Sequence, residues 1–134
     1  MLEDKNRKDI VEYRIERAFL SLKEAKANLE MGFYEVAANR LYYAAHYAVI
    51  ALLIANQITA KSHDGSISQF GMNFVKTGIF PKEMGKLLNN LFNTRQTGDY
   101  SDKFYMQEED VEPLLAPTED FVAKVTELAK KSLS

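Results

Sequence analysis

The chain has 134 residues, 17 Lys/Arg against 19 Asp/Glu, a formal charge of −2 and a pI near 5.7, a length at which one domain can bury a core without covalent staples. It contains no cysteine, which excludes disulfides, thiolate nucleophiles and thiolate zinc sites and suits a reducing compartment. No global positive field draws it to nucleic acid, and its longest near-apolar run, Leu41 to Ala55, contains His46 and falls short of the ~20 residues a membrane span needs.

The N-terminus is charged from the third residue and lacks the apolar segment of a secretory signal, so a cytoplasmic protein that does not enter the membrane is expected. Val11, Ile15, Ala18, Leu22, Ala25 and Leu29 recur every three or four positions, which predicts a first helix from about Lys8 to Met31. Gly32 supplies a stop, and the pattern resumes at once, so a second helix over Phe33 to Asn56 forms a hairpin with the first. Beyond Arg40 that second helix is apolar or aromatic on nearly every face. Its small-residue stripe, Ala37, Leu41, Ala44, Ala48, Ala51 and Ala55, must be covered by the rest of the bundle or by a second subunit, and a homodimer through this helix is expected.

Residues 59–66 read as a polar turn, with Ser62, Asp64 and Ser66 as candidate N-caps for a third helix from about Ser66 to Lys76 carrying Ile67, Phe70, Met72 and Phe74 inward. Thr77-Gly78 ends it. Pro81 opens a fourth helix to about Arg95, with Met84, Leu87, Leu88 and Leu91 on its core face, and Gly98 is expected to break the pattern. Glu108, Glu109 and Asp110 start a last helical region, acidic where the helix dipole favours acid. Pro113 and Pro117 interrupt it, leaving Thr118 to Lys131 as the durable part. No strand-like alternation and no internal repeat is present. The expected fold is an all-α, antiparallel up-and-down bundle of about five helices, a single domain over residues 1–134.

Charge is unevenly spread: residues 61–103 hold six Lys/Arg against four Asp/Glu, and residues 104–134 hold three against seven. Within the mildly basic middle segment Arg95 stands at a helix end, four residues before Asp99, with Tyr100 next to it. Arg presents a fork that matches phosphate oxygens, Asp at that spacing can fix the guanidinium, and Tyr adds a planar donor. The same Arg could instead close the helix and tie down the following loop. His63, in the polar turn, has the chemistry of a general acid or base near neutral pH. His46 lies inside the apolar helix on the side of Tyr42 and Val49 and reads as a hydrogen-bonded core or interface residue. Two histidines this far apart do not make a metal site. Gly-rich phosphate loops, serine nucleophile motifs and carboxylate–histidine metal spacings are absent from the sequence, so no cofactor or metal is expected.

Arg40, Tyr42, Tyr43 and Ala44, then Lys61-Ser-His-Asp-Gly65, then Arg95-x-x-x-Asp-Tyr100, followed by the Phe121 helix, together resemble the HEPN family over nearly the whole chain. The resemblance implies an up-and-down helical bundle that pairs through its central helices and acts with a small, minimal-type nucleotidyltransferase, as in toxin–antitoxin systems. It implies nucleotide or RNA phosphate as ligand, with Arg95, Asp99 and Tyr100 as the binding residues. Many HEPN proteins are metal-independent ribonucleases in which an Arg and a His separated by four to six residues act together. Counting from Arg95, the positions of that His hold Tyr100, Ser101 and Asp102. A ribonuclease would therefore need another proton carrier, and His63 fills that role only if its loop folds toward Arg95. A third reading is a protein-interaction subunit for the nucleotidyltransferase, with no ligand site of its own.

Overall fold

Val11, Ile15, Ala18, Ser21 and Ala25 line the buried face of α1 (Asp4–Glu30), one residue per turn as the heptad-like spacing requires. In the computed structural model, residues 4–100 and 105–134 are described, with side chains for all of these except 97–100. Gly32 ends α1 in the left-handed region at φ +80°. There the Phe33 amide donates to the Asn28 carbonyl and the Gly32 amide to the Leu29 carbonyl, at 2.9 and 3.1 Å, the paired bonds of a Schellman cap. The chain reverses in three residues and enters α2 (Tyr34–Ala55).

Helix α2 is the axis of the molecule, packed by α1, α4 and α6 together. The stripe Ala37, Leu41, Ala44, Ala48, Ala51 and Ala55 is buried within the chain itself, because small side chains let neighbouring backbones approach closely enough to close over it. What stays half-exposed on α2 is a different face, with Tyr43, Tyr47, Ile50 and Ile54.

The third helix starts three residues earlier than the pattern suggests. Ser62 is the N-cap of α3 (His63–Phe70), its Oγ accepting from the Gly65 amide at 2.9 Å. His63 is therefore the first residue of a helix and not part of a loop. A π-helical turn over Gly71–Val75 follows. The extra residue in that turn rotates Met72 outward, where it is 61% exposed, against the expected inward position, while Phe70 and Phe74 stay in the core. Gly78, at φ +85°, ends the segment.

Helix α4 (Lys82–Tyr100) runs through Gly98, where a break is expected from the sequence. A glycine costs only about 1 kcal/mol in a helix interior, which the buried Met84, Leu88 and Leu91 outweigh. Arg95 consequently sits within a helix, one turn beyond Leu91 on the inward face, and not at a helix end. Helix α5 (Glu108–Val111) opens with a capping box between Gln107 and Asp110, and Pro113 lies in the 3-10 turn Glu112–Leu114. Helix α6 (Leu115–Ser132) then carries Pro117 in its first turn, where the missing N–H would have had no partner anyway. Pro117 is thus absorbed, not an interruption. The described residues contain no strand, and the fold is an all-α helical bundle around one contiguous core. No described helix is long and apolar enough to cross a membrane.

Candidate functional site

Positions i, i+1 and i+4 of α2 place Tyr42, Tyr43 and His46 on one side of the helix, facing the start of α3 and the second half of α4. Tyr42 is fully buried, and its hydroxyl lies 2.5 Å from His63 Nδ1 and 3.5 Å from His46 Nδ1. The two imidazoles lie against each other with ring centres 4.5 Å apart. Phe92 of α4 closes the far side, 5.5 Å from the Tyr42 ring and 6.3 Å from the His63 ring.

Arg95 reaches into the same cluster. Its guanidinium carbon is 5.7 Å from the centre of the Tyr42 ring and 5.5 Å from that of Tyr43, both within cation–π range, and one of its N–H groups points at the Tyr43 hydroxyl at 3.4 Å. On the other side of Tyr43 lies Arg40, 5.1 Å from the ring centre, itself 3.4 Å from Glu24 of α1. Arg14 and Arg17 of α1 flank Tyr47, at 5.9 and 5.6 Å.

The electrostatics follow from this crowd of cations around buried rings. Burial lowers His46 to about 4, and His63, Arg14 and Arg95 push in the same direction, so the imidazole is neutral at pH 7. His63 is lowered too, by burial first and then by Arg95, with Asp64 opposing. Tyr42 is pushed up, chiefly by burial and further by Tyr43, with Arg95 opposing. A neutral phenol between two neutral imidazoles can accept from one ring and donate to the other, which is a proton relay of three members.

Of the residues singled out from sequence, the structure brings Arg95 and His63 to one place, 32 positions apart in the chain. The local reason is the cap: Ser62 fixes the first turn of α3, the Ser66 hydroxyl donates to the His63 carbonyl at 2.8 Å, and a Cβ on Gly65 would stand 3.1 Å from Ser62 Oγ. The Lys61-Ser-His-Asp-Gly65 segment is thus a mount for the His63 ring. Asp99 and Tyr100 continue the helix one turn beyond Arg95, and their side chains lie outside the described residues. His46, expected to be a core or interface residue, belongs to the cluster. Tyr42 and Tyr43 were not among the expected site residues; the signal that finds them is the Tyr-Tyr-x-x-His spacing on a helix rich in alanine. No group of three or more potential metal-ligating side chains forms among the described residues.

The HEPN domain model matches residues 11–128. A UPF0332 protein of Thermotoga maritima is 39% identical over 119 residues, 89% of this chain and 90% of that protein. Two Methanocaldococcus jannaschii proteins, each bearing the name "putative toxin", are similar as well. One is 34% identical over 85% of this chain and 78% of its own length, the other 32% identical over 98% of both.

Proposed function

Because this chain belongs to the HEPN domain family, we propose that it is a toxin-type HEPN module that binds nucleotide or RNA phosphate at Arg95. The observation that carries this reading is Arg95 laid against the Tyr42 and Tyr43 rings beside His63, a rigid guanidinium in a site dominated by cations. Stacking on the two rings holds the planar fork in place, and a planar fork suits two-pronged recognition of a phosphate. Asp99 and Tyr100, whose side chains lie outside the described residues, are the further residues assigned to phosphate binding in this reading. Two copies pair through α2, on its half-exposed face around Tyr43 and Tyr47, and a minimal nucleotidyltransferase is the cytoplasmic partner. The relatives named as toxins support this class of assembly.

Binding of a nucleoside monophosphate or a short RNA to Arg95→Ala tests the reading. Loss of a charged hydrogen-bond set worth about 1.5–3 kcal/mol weakens affinity roughly ten- to hundred-fold. Unchanged affinity in a folded variant sinks the proposal.

A second reading is favoured by one specific contact, that of the Tyr42 hydroxyl with His63 Nδ1. If Nδ1 holds the ring proton and donates to Tyr42, Nε2 is left as a free base beside Arg95. His63 then takes the proton of a ribose 2′-hydroxyl as its oxygen attacks the adjacent phosphorus, the bond from phosphorus to the 5′-oxygen of the next nucleotide breaks to leave a 2′,3′-cyclic phosphate, the departing oxygen takes a proton from water, and Arg95 stabilises the charge that builds on the phosphoryl oxygens. This is metal-independent ribonuclease chemistry. Cleavage of a mixed RNA in chelator, lost in both Arg95→Ala and His63→Ala, is the expected outcome; full cleavage by His63→Ala removes His63 from the mechanism.

A further inference from the structure

Beside the cluster lies a cavity of about 610 Å³, bounded by the first half of α1, the second half of α2 and the turn at residues 57–60. That is the size of a small-ligand site. Its floor is aliphatic, from Ile50, Leu53 and Ile54, and its charged lining consists of Arg7 and Arg14 with no carboxylate among the lining residues. Arg7 is paired at 3.1 Å with Asp4, whose side chain is 92% exposed, a contact that water weakens. Arg14 has a buried Nε with no hydrogen-bond partner in the structure, and its guanidinium is placed by the Tyr47 ring.

His46 joins this cavity to the Arg95 cluster: it lines the cavity on one side and lies against the His63 ring on the other. An apolar floor with two guanidinia above it fits a flat, weakly polar body carrying an anion, which is the make-up of a nucleotide. Continuity through His46 fits a ligand that spans both places.

The geometry points to a second nucleotide subsite in this cavity, with Arg14 holding one phosphate of a single-stranded oligonucleotide, the base lying on Ile50 and Ile54, and the neighbouring phosphate reaching Arg95. This rests on the reading of Arg95 as a phosphate site, and it makes the preferred ligand an oligonucleotide of at least two phosphates in place of a free mononucleotide. Arg7 adds charge at the cavity's outer end.

The test uses the full chain with two uncleavable probes, the 2′-O-methyl mononucleotide pUm and the dinucleotide pUmpUm, measured by calorimetry. The wild-type protein is expected to bind pUmpUm about ten-fold tighter than pUm. Arg14→Gln removes that advantage while leaving pUm affinity within two-fold, and Ile54→Trp, which fills the cavity from its rim, does the same without touching a charge. Equal binding of the two probes by the wild-type protein overturns the subsite, as does unchanged pUmpUm affinity in both folded variants. If Ile54→Trp alters only self-association, the cavity belongs to a second copy and the subsite is overturned. Arg95→Ala is expected to weaken both probes; if it weakens neither while Arg14→Gln still lowers pUmpUm affinity, the Arg95 reading fails and the cavity site stands.

Discussion

The Tyr42 hydroxyl touches His63 Nδ1 at 2.5 Å across 21 residues of chain, joining the centre of α2 to the first residue of α3. Tyr42 is fully buried and His63 half-exposed, so the Tyr42 hydroxyl cannot exchange this bond for a solvent one without opening the core. Tyr42→Phe keeps the ring contacts with Phe92 and His46 and deletes this link together with the longer one to His46 Nδ1. It is expected to cost about 1 kcal/mol of stability, rising toward 3 where the His63 nitrogen is left unsatisfied. Chemical denaturation monitored by circular dichroism measures it, and an unchanged midpoint would show that the bond is broken in solution.

The two imidazoles make the fold sensitive to acid. His46 is lowered from 6.5 to about 4, and His63 is lowered as well, so the unfolded chain binds more protons than the folded one between those values. Stability from this source is complete above pH 6.5 and is lost as pH falls through about 4, with an upper magnitude near 3 kcal/mol for His46. His46→Gln should flatten the stability profile between pH 6.5 and 4. A variant that keeps the wild-type slope would place the proton uptake elsewhere.

Ser62→Ala removes the side-chain cap of α3, an effect of about 1 kcal/mol. The informative readout is the His63 ring: its imidazole resonances should shift and its pKa move back toward the ordinary value, because the ring loses its mount. Loss of stability with an unmoved His63 titration would mean that packing alone positions the ring.

Gln57 holds φ +58° at the end of α2, where the Ile58 amide donates to the Leu53 carbonyl at 2.9 Å and the Gln57 amide to the Ile54 carbonyl at 3.0 Å. This is the position that glycine occupies at Gly32. Gln57→Gly should raise the free energy of unfolding, measured by chemical denaturation, by about 1 kcal/mol, since a side chain in the left-handed region costs that much. A fall in stability would mean that the Gln57 side chain contributes more than its backbone strain removes.

Ala48 is fully buried on the small-residue face of α2. Ala48→Leu forces neighbouring helices apart and is expected to cost about 1–3 kcal/mol or more, measured as a drop in thermal midpoint with the helical signal retained at low temperature. Tolerance of leucine would indicate a face that packs loosely.

The helices were legible in the sequence because their periodicities reflect burial, and the stops at Gly32 and Gly78 because positive φ favours glycine. Gly98 misled for the opposite reason: a glycine weakens a helix by less than a well-packed face strengthens it, and only the tertiary contacts of α4 decide the contest. Met72 misled because a π turn changes the period, and nothing in a 3.6-residue pattern announces one. For the site, Arg95 and His63 were visible as chemistry but not as neighbours. Their meeting depends on Ser62 starting α3 early and on α3 and α4 packing against α2, which only the folded bundle fixes. His46 was read as an interior residue because it sits among alanines and leucines, and its partner His63 comes from another element.

Fifty-two positions separate Arg95 from the Tyr43 hydroxyl it faces, and the cluster draws its members from three helices. A chain still emerging from the ribosome, or cut short before α4, therefore holds no assembled site, however well its first hairpin has formed.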